Sequence, residues 1–334
     1  MSKETMEWLN QNTLVGFTEK RGNAWHYRQN SQDAESNHYA RAIPVEDVYR
    51  RLFSWDAVSA IPWFEMPDGT LVQDETRQYI VRSDTREPLG IFGTGYQPHP
   101  YKDWLVKNVE SILDADLSIG SAGLLKNGAV AWVQVEMEET VEVAGVEFRP
   151  FLTAATSFDG SLASTYLTGA QVVVCDNTLS TALGAAESVL KVKHSRNSVG
   201  KIGDVREALG IVHTAADDFI AQVEMLTARE VSDKQWAEFV TAYTAPSNPE
   251  SKSGATIAER RAGELAYLWN ADERVKPWAG TAYGVVQAVN THAHHVAVVR
   301  GAGRAERNME RMVQGKWDAL DRNTLALLER VQSA

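Results

Sequence analysis

Thr153-Ala-Ala-Thr-Ser-Phe-Asp-Gly-Ser-Leu-Ala163, followed by Val172-Val-Val-Cys-Asp-Asn-Thr-Leu179, is the stretch that decides the fold. Its ends are rich in β-branched and small residues. Asp159-Gly160 between them has the composition of a tight reversal, because glycine takes up positive φ without strain and aspartate bonds its own backbone. The segment reads as two antiparallel strands, a long one through Phe148 to Phe158 and a second over Ser164 to Cys175. Upstream, Ala122-Gly-Leu-Leu125 and the run from Ala129 to Val135 flank Lys126-Asn-Gly128, and Asn-Gly between β-type runs is a strong hairpin signal. A further reversal falls at Val143-Ala-Gly-Val146. These turns predict an antiparallel β-meander of about four strands over residues 120–175. Beyond it, Leu179, Leu183, Ala186 and Leu190 recur at helical spacing. The expected core order is therefore β-β-β-α, with the helix beginning near Thr178 behind a capping Asp or Asn.

The flanks are helical. Val45, Val48, Leu52 and Trp55 step by three and four after Pro44, which predicts a helix over 44–56. Gln78–Arg82 and Leu89–Gly93 read as a hairpin around Ser83-Asp-Thr-Arg-Glu-Pro88, and Trp104, Leu105, Val109, Ile112 and Leu113 predict a helix over 101–114. Residues 1–43 are polar and lack periodicity, so they read as a loosely packed lead segment before a core domain over 44–203. From Asp204 to residue 334 the spacing is helical, interrupted by a linker near 244–256 that is rich in Pro, Ser and Gly. Val285 to Val299 and Trp317 to Val331 read as two helices hinged near Gly301-Ala-Gly303. The fold class is α+β, a meander flanked by helices with a mainly helical C-terminal half.

Composition excludes several functions. The chain has 334 residues, 44% of them hydrophobic, a formal net charge of −11 and a single cysteine, Cys175. One cysteine forms no internal disulfide, which together with the absence of an apolar leader or a run of about 18 apolar residues points to the cytoplasm and away from a membrane. The net charge opposes wholesale attraction to nucleic acid, so any polyanion site must be a local patch. Neither a phosphate-binding Gly-x4-Gly-Lys-Ser/Thr loop nor a strand–Gly-x-Gly-x-x-Gly–helix unit occurs, and no cofactor is expected.

Each chemically suggestive residue has a plainer reading beside it. Cys175 with Asp176, Asn177 and His194 has the parts of a thiol nucleophile, but a cysteine ending a valine run reads as a small buried hydrophobe. His292 and His295 share a helix face, yet no acidic partner spacing accompanies them, so they read as a polar helix face and no metal is expected. Glu136 and Glu138 alternate with Val135 and Met137, as on a strand with one solvated face. Arg300, Arg304, Arg307, Arg311 and Lys316 are interleaved with Glu306 and Glu310, and read as a surface helix carrying intrahelical ion pairs. Lys191, Lys193, Arg196, Lys201 and Arg206 are different, because only Asp204 opposes them within the span. They read either as a solvated loop or as a set of phosphate contacts.

Several motifs taken together carry a family resemblance. Ile80-Val-Arg-Ser-Asp-Thr85 with Leu89-Gly90 and Gly95-Tyr96, Ala122-Gly-Leu-Leu125 with Gly128, Phe158-Asp-Gly-Ser161 and Val174-Cys-Asp-Asn-Thr-Leu179 resemble, in order and spacing, the DUF932 phage and plasmid-like family. The resemblance covers about residues 75–195 and marks Arg82, Asp84, Asp159, Gly160, Ser161, Asn177 and Thr178 as motif residues. The chain departs from the family pattern at Tyr96-Gln-Pro-His-Pro-Tyr101, where relatives carry a Gln-Asn pair after the tyrosine, and at Asp176. More remotely, the core order is similar to single-strand annealing proteins of the Rad52 and RecT type. That likeness implies a non-catalytic protein of phage or plasmid recombination, a homo-oligomer that binds single-stranded DNA through Lys191–Arg206. Two alternatives stand beside it: an enzyme with its site near Ser83, Asp84, Asp159, Ser161 and Asn177, and a phage structural or host-interaction protein using its C-terminal helices.

Overall fold

The computed structural model describes residues 11–21, 35–110, 113, 117–137, 140–172, 178–179, 189–192, 205–299, 304–314 and 316–334. The chain starts with a short strand, β1 (Thr13–Val15), and reaches its first long helix, α1 (Val45–Leu52), behind Pro44, whose extended backbone and missing N–H suit a helix start. A three-stranded sheet follows, ordered β2 (Ala57–Ala60), β5 (Arg77–Arg82), β6 (Pro88–Gly93); between β2 and β5 the chain makes a separate hairpin of β3 (Trp63–Glu65) and β4 (Leu71–Gln73). The expected β5–β6 hairpin is present, with Tyr79 opposite Ile91. The expected 101–114 helix is shorter and partly π-helical, over Lys102–Lys107 and Asn108–Glu110.

The meander is the centre of the molecule. It comprises β7 (Leu117–Leu125), β8 (Val130–Met137), β9 (Val141–Val143), β10 (Val146–Ser157) and β11 (Ser164–Val172), joined by reversals at Lys126–Gly128, Ala144-Gly145 and Asp159-Gly160. All pairs are antiparallel, in the order β1-β7-β8-β10-β11, and β9 pairs with the start of β10. On the outer side of β11 lie β12 (Thr178–Leu179) and β13 (Val189–Val192). The helix expected over Thr178–Leu190 is thus overturned at both ends. Val189-Leu-Lys-Val192 is as compatible with a strand as with a helix turn, and the open edge of β11 supplies the hydrogen bonds that decide for the strand. Residues 180–188 lie outside the described residues. So does the Gly301–Gly303 hinge.

The two faces of the sheet differ. Leu14, Ile119, Ala122, Leu124, Val133, Val135, Leu152 and Ala154 pack beneath Val48 and Leu52 of α1 and Trp104, Leu105 and Val109 of the 102–110 helix. The polar residues Thr13, Gln134, Glu136, Arg149, Thr153 and Thr165 are also buried, with Trp132, Phe151 and Ala155 among them. Glu136 is therefore not on a solvated strand face. β8 lies between β7 and β10 with both its faces covered, so its polar alternation marks a polar interior. Gly120 makes this possible, since a Cβ there would lie 1.2 Å from Glu136 Oε1. Glu142 and Glu147, nearer the edge, are exposed as expected, while Glu138 and Glu139 lie outside the described residues.

The lead segment is more integrated than its composition implies. Thr13–Val15 is buried and pairs with β7, with Leu14 opposite Ala122. The C-terminal half is helical: α2 (Val205–Ala228), α3 (Asp233–Thr244), α4 (Lys252–Ala271), α5 (Ala282–Thr291), α6 (Arg304–Val313) and α7 (Lys316–Gln332). Their core of Phe219, Phe239, Leu265, Trp269, Tyr283, Val285 and Leu328 reaches the sheet at Val146 and Phe148. The linker is short, because α4 begins inside it. Ser251 accepts a hydrogen bond from the Gly254 N–H at 3.1 Å, and this cap turns a Ser- and Gly-rich stretch into a helix start.

Candidate functional site

Three sequence-distant motifs meet at one end of the meander. Arg82 ends β5, and its guanidinium forks onto Asp84, with Nε 2.9 Å from Oδ1 and Nη2 2.7 Å from Oδ2. The same group lies 4.1 Å over the Trp55 ring and donates through Nη1 to the Asn127 carbonyl at 3.1 Å. The hydrogen bonds from Arg82 hold the Asp84 carboxyl below the usual carboxylate range. Asn127 in turn donates through Nδ2 to Glu87 Oε1 at 2.7 Å, and the Tyr101 hydroxyl donates to the Gly128 carbonyl at 2.8 Å.

These contacts converge on a strained turn. Lys126, Asn127 and Gly128 have φ of 51°, 56° and 96°, a left-handed run of which only the last residue is glycine. Left-handed backbone at a non-glycine residue costs roughly 1–2 kcal/mol and persists where surrounding contacts over-determine it. The hairpin expected at Asn127-Gly128 is thus present but longer than a two-residue turn, closing with Leu125 opposite Val130.

The Asp159-Gly160 turn lies alongside. Asp159 Oδ1 accepts from the Ser161 backbone N–H at 2.8 Å, and Oδ2 is 3.3 Å from Lys126 Nζ, which also reaches Glu310 Oε1 on α6 at 3.5 Å. Burial pushes the Asp159 carboxyl up, but the bonds from Ser161 and the charge of Lys126 outweigh it and the group sits below its ordinary range. For Lys126 burial pulls downward, and the carboxylates of Asp159 and Glu310 prevail, raising it. Phe158 stacks on Tyr101 at 4.1 Å, and Phe92 on Tyr96 at 3.8 Å. Gly90 lets β6 close on this turn, since a Cβ there would be 2.4 Å from the Phe158 carbonyl oxygen.

The structure therefore brings together Arg82, Asp84, Asp159, Gly160 and Ser161 and adds Trp55, Glu87, Tyr101, Lys126, Asn127 and Glu310, which the sequence reading did not assign to a site. The one available signal was Lys126-Asn-Gly128, read only as a turn. Chemically the cluster is a set of paired charges around a rigid left-handed turn, with Asp84 its most solvent-facing carboxylate among these pairs at 43% side-chain exposure. Thr178 does not join it. It pairs with Gln171, toward the far end of β11 from Ser164. Asn177, Cys175, Asp176 and His194 lie outside the described residues.

Of the basic span, Lys191 sits in β13 opposite Thr165, and Arg206 lies in the first turn of α2. Lys193, Arg196 and Lys201 lie outside the described residues. The histidines do not form a polar helix face. His292 and His294 are buried in a π-helical turn, His292–Val296, that ends α5. His292 Nε2 is 2.9 Å from Glu264 Oε2, and the ring's pKa is lowered by burial against the pull of that carboxylate. His294 stacks on Trp317 at 3.8 Å. Among the described residues, no three His, Cys, Asp or Glu side chains gather as a metal site would require.

The α6 arginines also differ from expectation. Arg304 donates to the His294 carbonyl at 3.1 Å and Arg307 to the Ala293 carbonyl at 2.7 Å, so they cap the end of the π turn, where carbonyls lack helical partners. Burial and the neighbouring Arg311 and Arg304 pull the Arg307 guanidinium down to about 10. Glu310 pairs with Lys126 across the molecule. Arg311 lies 5.3 Å over Trp317. Tertiary contacts have taken up the charges that the sequence pairs within the helix.

No curated protein and no solved structure matches the chain. A family model does, and it takes in the left-handed turn, the Asp159-Gly160 turn and the helices through α6, while Arg82 and Asp84 lie just before its start. The chain belongs to the family described as Domain of unknown function (DUF932), whose model matches residues 88–314.

Proposed function

We propose that the chain is a non-catalytic, homo-oligomeric protein that binds and anneals single-stranded DNA in phage or plasmid recombination within the cytoplasm. The basic span Lys191, Lys193, Arg196, Lys201 and Arg206 contacts the phosphates. The observation that carries this reading is the placement of the two ends of that span. Lys191 lies on the outermost strand of the sheet, and Arg206 begins the helix that packs on β10 and β11, so the intervening cations run between a sheet edge and a helix start. In a chain of net charge −11, such a patch must supply most of the attraction to a polyanion. No helix among the described residues is long and apolar enough to cross a membrane.

The test is fluorescence anisotropy of a labelled single-stranded oligonucleotide across a salt series. Affinity falls as salt rises, with a slope of about 0.7 per neutralised phosphate, and exceeds affinity for duplex. Changing Lys191, Lys193 and Arg196 together to Ala flattens that slope by about 2. No binding at low salt, or an unchanged slope in the triple variant, refutes the reading or its site.

A second reading, an enzyme of unassigned chemistry, draws on the strained Lys126-Asn127 backbone beside Asp159, since such strain collects at functional sites. Gel analysis of the incubated oligonucleotide separates the two. An intact strand supports annealing, and a cleaved or modified one supports the enzyme.

A further inference from the structure

The β3–β4 hairpin is a finished element with no layer of its own chain beneath it. Its strands contact each other far more than any other element. Its tip is closed by Met66 N–H to the Thr70 carbonyl at 2.8 Å and Gly69 N–H to the Met66 carbonyl at 2.9 Å, with Gly69 at φ 84°. Asp68 accepts from Thr70 N–H and Asp74 from Thr76 N–H, each at 2.9 Å, which sets the geometry at both ends. A two-stranded ribbon is marginal in water without a covered face.

Both faces of this ribbon are apolar and open. Trp63 and Leu71 lie on one side, 59% and 62% exposed, and Phe64 and Val72 on the other, 50% and 36% exposed. Ile61 and Met66 extend the patch along the arm. Single exposed apolar side chains are ordinary, but a contiguous set on a rigid arm marks a contact surface. Its rim is acidic: residues 61–77 hold Glu65, Asp68, Asp74 and Glu75 against Arg77.

The complementary surface is on the same chain. The outer side of α4 exposes Ile257 and Tyr267, 40% and 64%, with Arg260 and Arg261 exposed between them. Of the acids on that helix, Glu264 is engaged by His292, leaving Glu259 opposite the two arginines in charge. An apolar arm with an acidic rim thus has a counterpart in an apolar helix face carrying cations, and such pairing fixes orientation as well as affinity. We propose that the Trp63–Gln73 hairpin of one copy docks on the outer face of α4 of the next. The two surfaces are different, so the contact is head-to-tail, and it closes into a ring or propagates as a filament according to the rotation between copies. This supplies the surfaces for the homo-oligomer proposed above and rests only on that part of the reading, not on DNA binding.

The test is sedimentation velocity on the full chain without nucleic acid, so that its failure is separable from failure to bind DNA. Wild type assembles in a concentration-dependent way. Trp63→Glu with Leu71→Glu, and separately Arg260→Glu with Arg261→Glu, weaken self-association about tenfold or more. Both pairs are exposed, so melting curves stay as in wild type, and Tyr267→Glu serves as an independent probe of the helix side. The decisive step is mixing. Each variant keeps one intact surface, so the hairpin and helix variants together form a one-to-one dimer that neither forms alone. A monomeric wild type, a hairpin or helix variant that assembles normally, or a mixture that stays monomeric overturns the proposal.

Discussion

Replacing Gly128 by Ala tests the proposition that this glycine exists to admit Arg82. At φ 96° any Cβ is strained, by roughly 1–3 kcal/mol. The added methyl would also lie 2.6 Å from Arg82 Nη1 and 3.0 Å from Trp55 Cζ2, so the guanidinium must move. In moving, it gives up its bond to the Asn127 carbonyl and its place over Trp55. A hydrogen bond to a charged group contributes about 1.5–3 kcal/mol and a partly desolvated cation–π contact about 1 kcal/mol. The expected loss is therefore about 3–5 kcal/mol in wild type. In an Arg82→Ala background only the backbone strain and the approach to Trp55 remain, and the same substitution costs about 1–3 kcal/mol. Urea unfolding of the four proteins of this cycle, followed by tryptophan fluorescence, measures the difference, provided the slopes with urea agree. Equal costs in the two backgrounds, or a cost below about 0.5 kcal/mol in wild type, would refute the packing argument.

Two further outcomes follow from burial and capping. His99 is buried, with Nδ1 2.6 Å from the Ser164 hydroxyl oxygen, which is itself 2.8 Å from Thr156 Oγ1; burial lowers the ring's pKa from 6.5 to about 4. Between those values the unfolded chain binds the extra proton, so stability is full above about pH 6.5 and falls by up to about 3 kcal/mol as pH drops toward 4. A pH series of unfolding free energies should show a shallower acid limb for His99→Gln, with the part due to His292, lowered in the same direction, remaining; an identical limb contradicts the assignment. Ser232→Ala removes the capping box of α3, in which Ser232 accepts from Gln235 N–H and Gln235 returns a bond to Ser232 N–H, and should lower stability by about 1 kcal/mol in thermal unfolding, while Ser232→Thr loses much less.

The turns of this protein are written locally. Asn127-Gly128, Ala144-Gly145 and Asp159-Gly160 reverse the chain where their residue types say, because access to positive φ belongs to a residue and its immediate neighbours. The helices after Asp204 and the membership of the α+β class were legible for the same reason: a repeat of three and four is a property of a short segment. Burial is not. Glu136 alternates with valines as a solvated strand would, and only the layers on both sides of β8 make its face interior. Val189–Val192 has spacing compatible with a helix, and the vacant edge of β11 makes it a strand. The gathering of Arg82, Asn127 and Asp159 at one end of the meander likewise depends on register between strands far apart in sequence, which no window of residues contains. The sequence by itself determined where the chain turns and which segments are periodic. Tertiary structure decided which polar groups are enclosed and which charges meet, because those energies arise only between elements that have already packed.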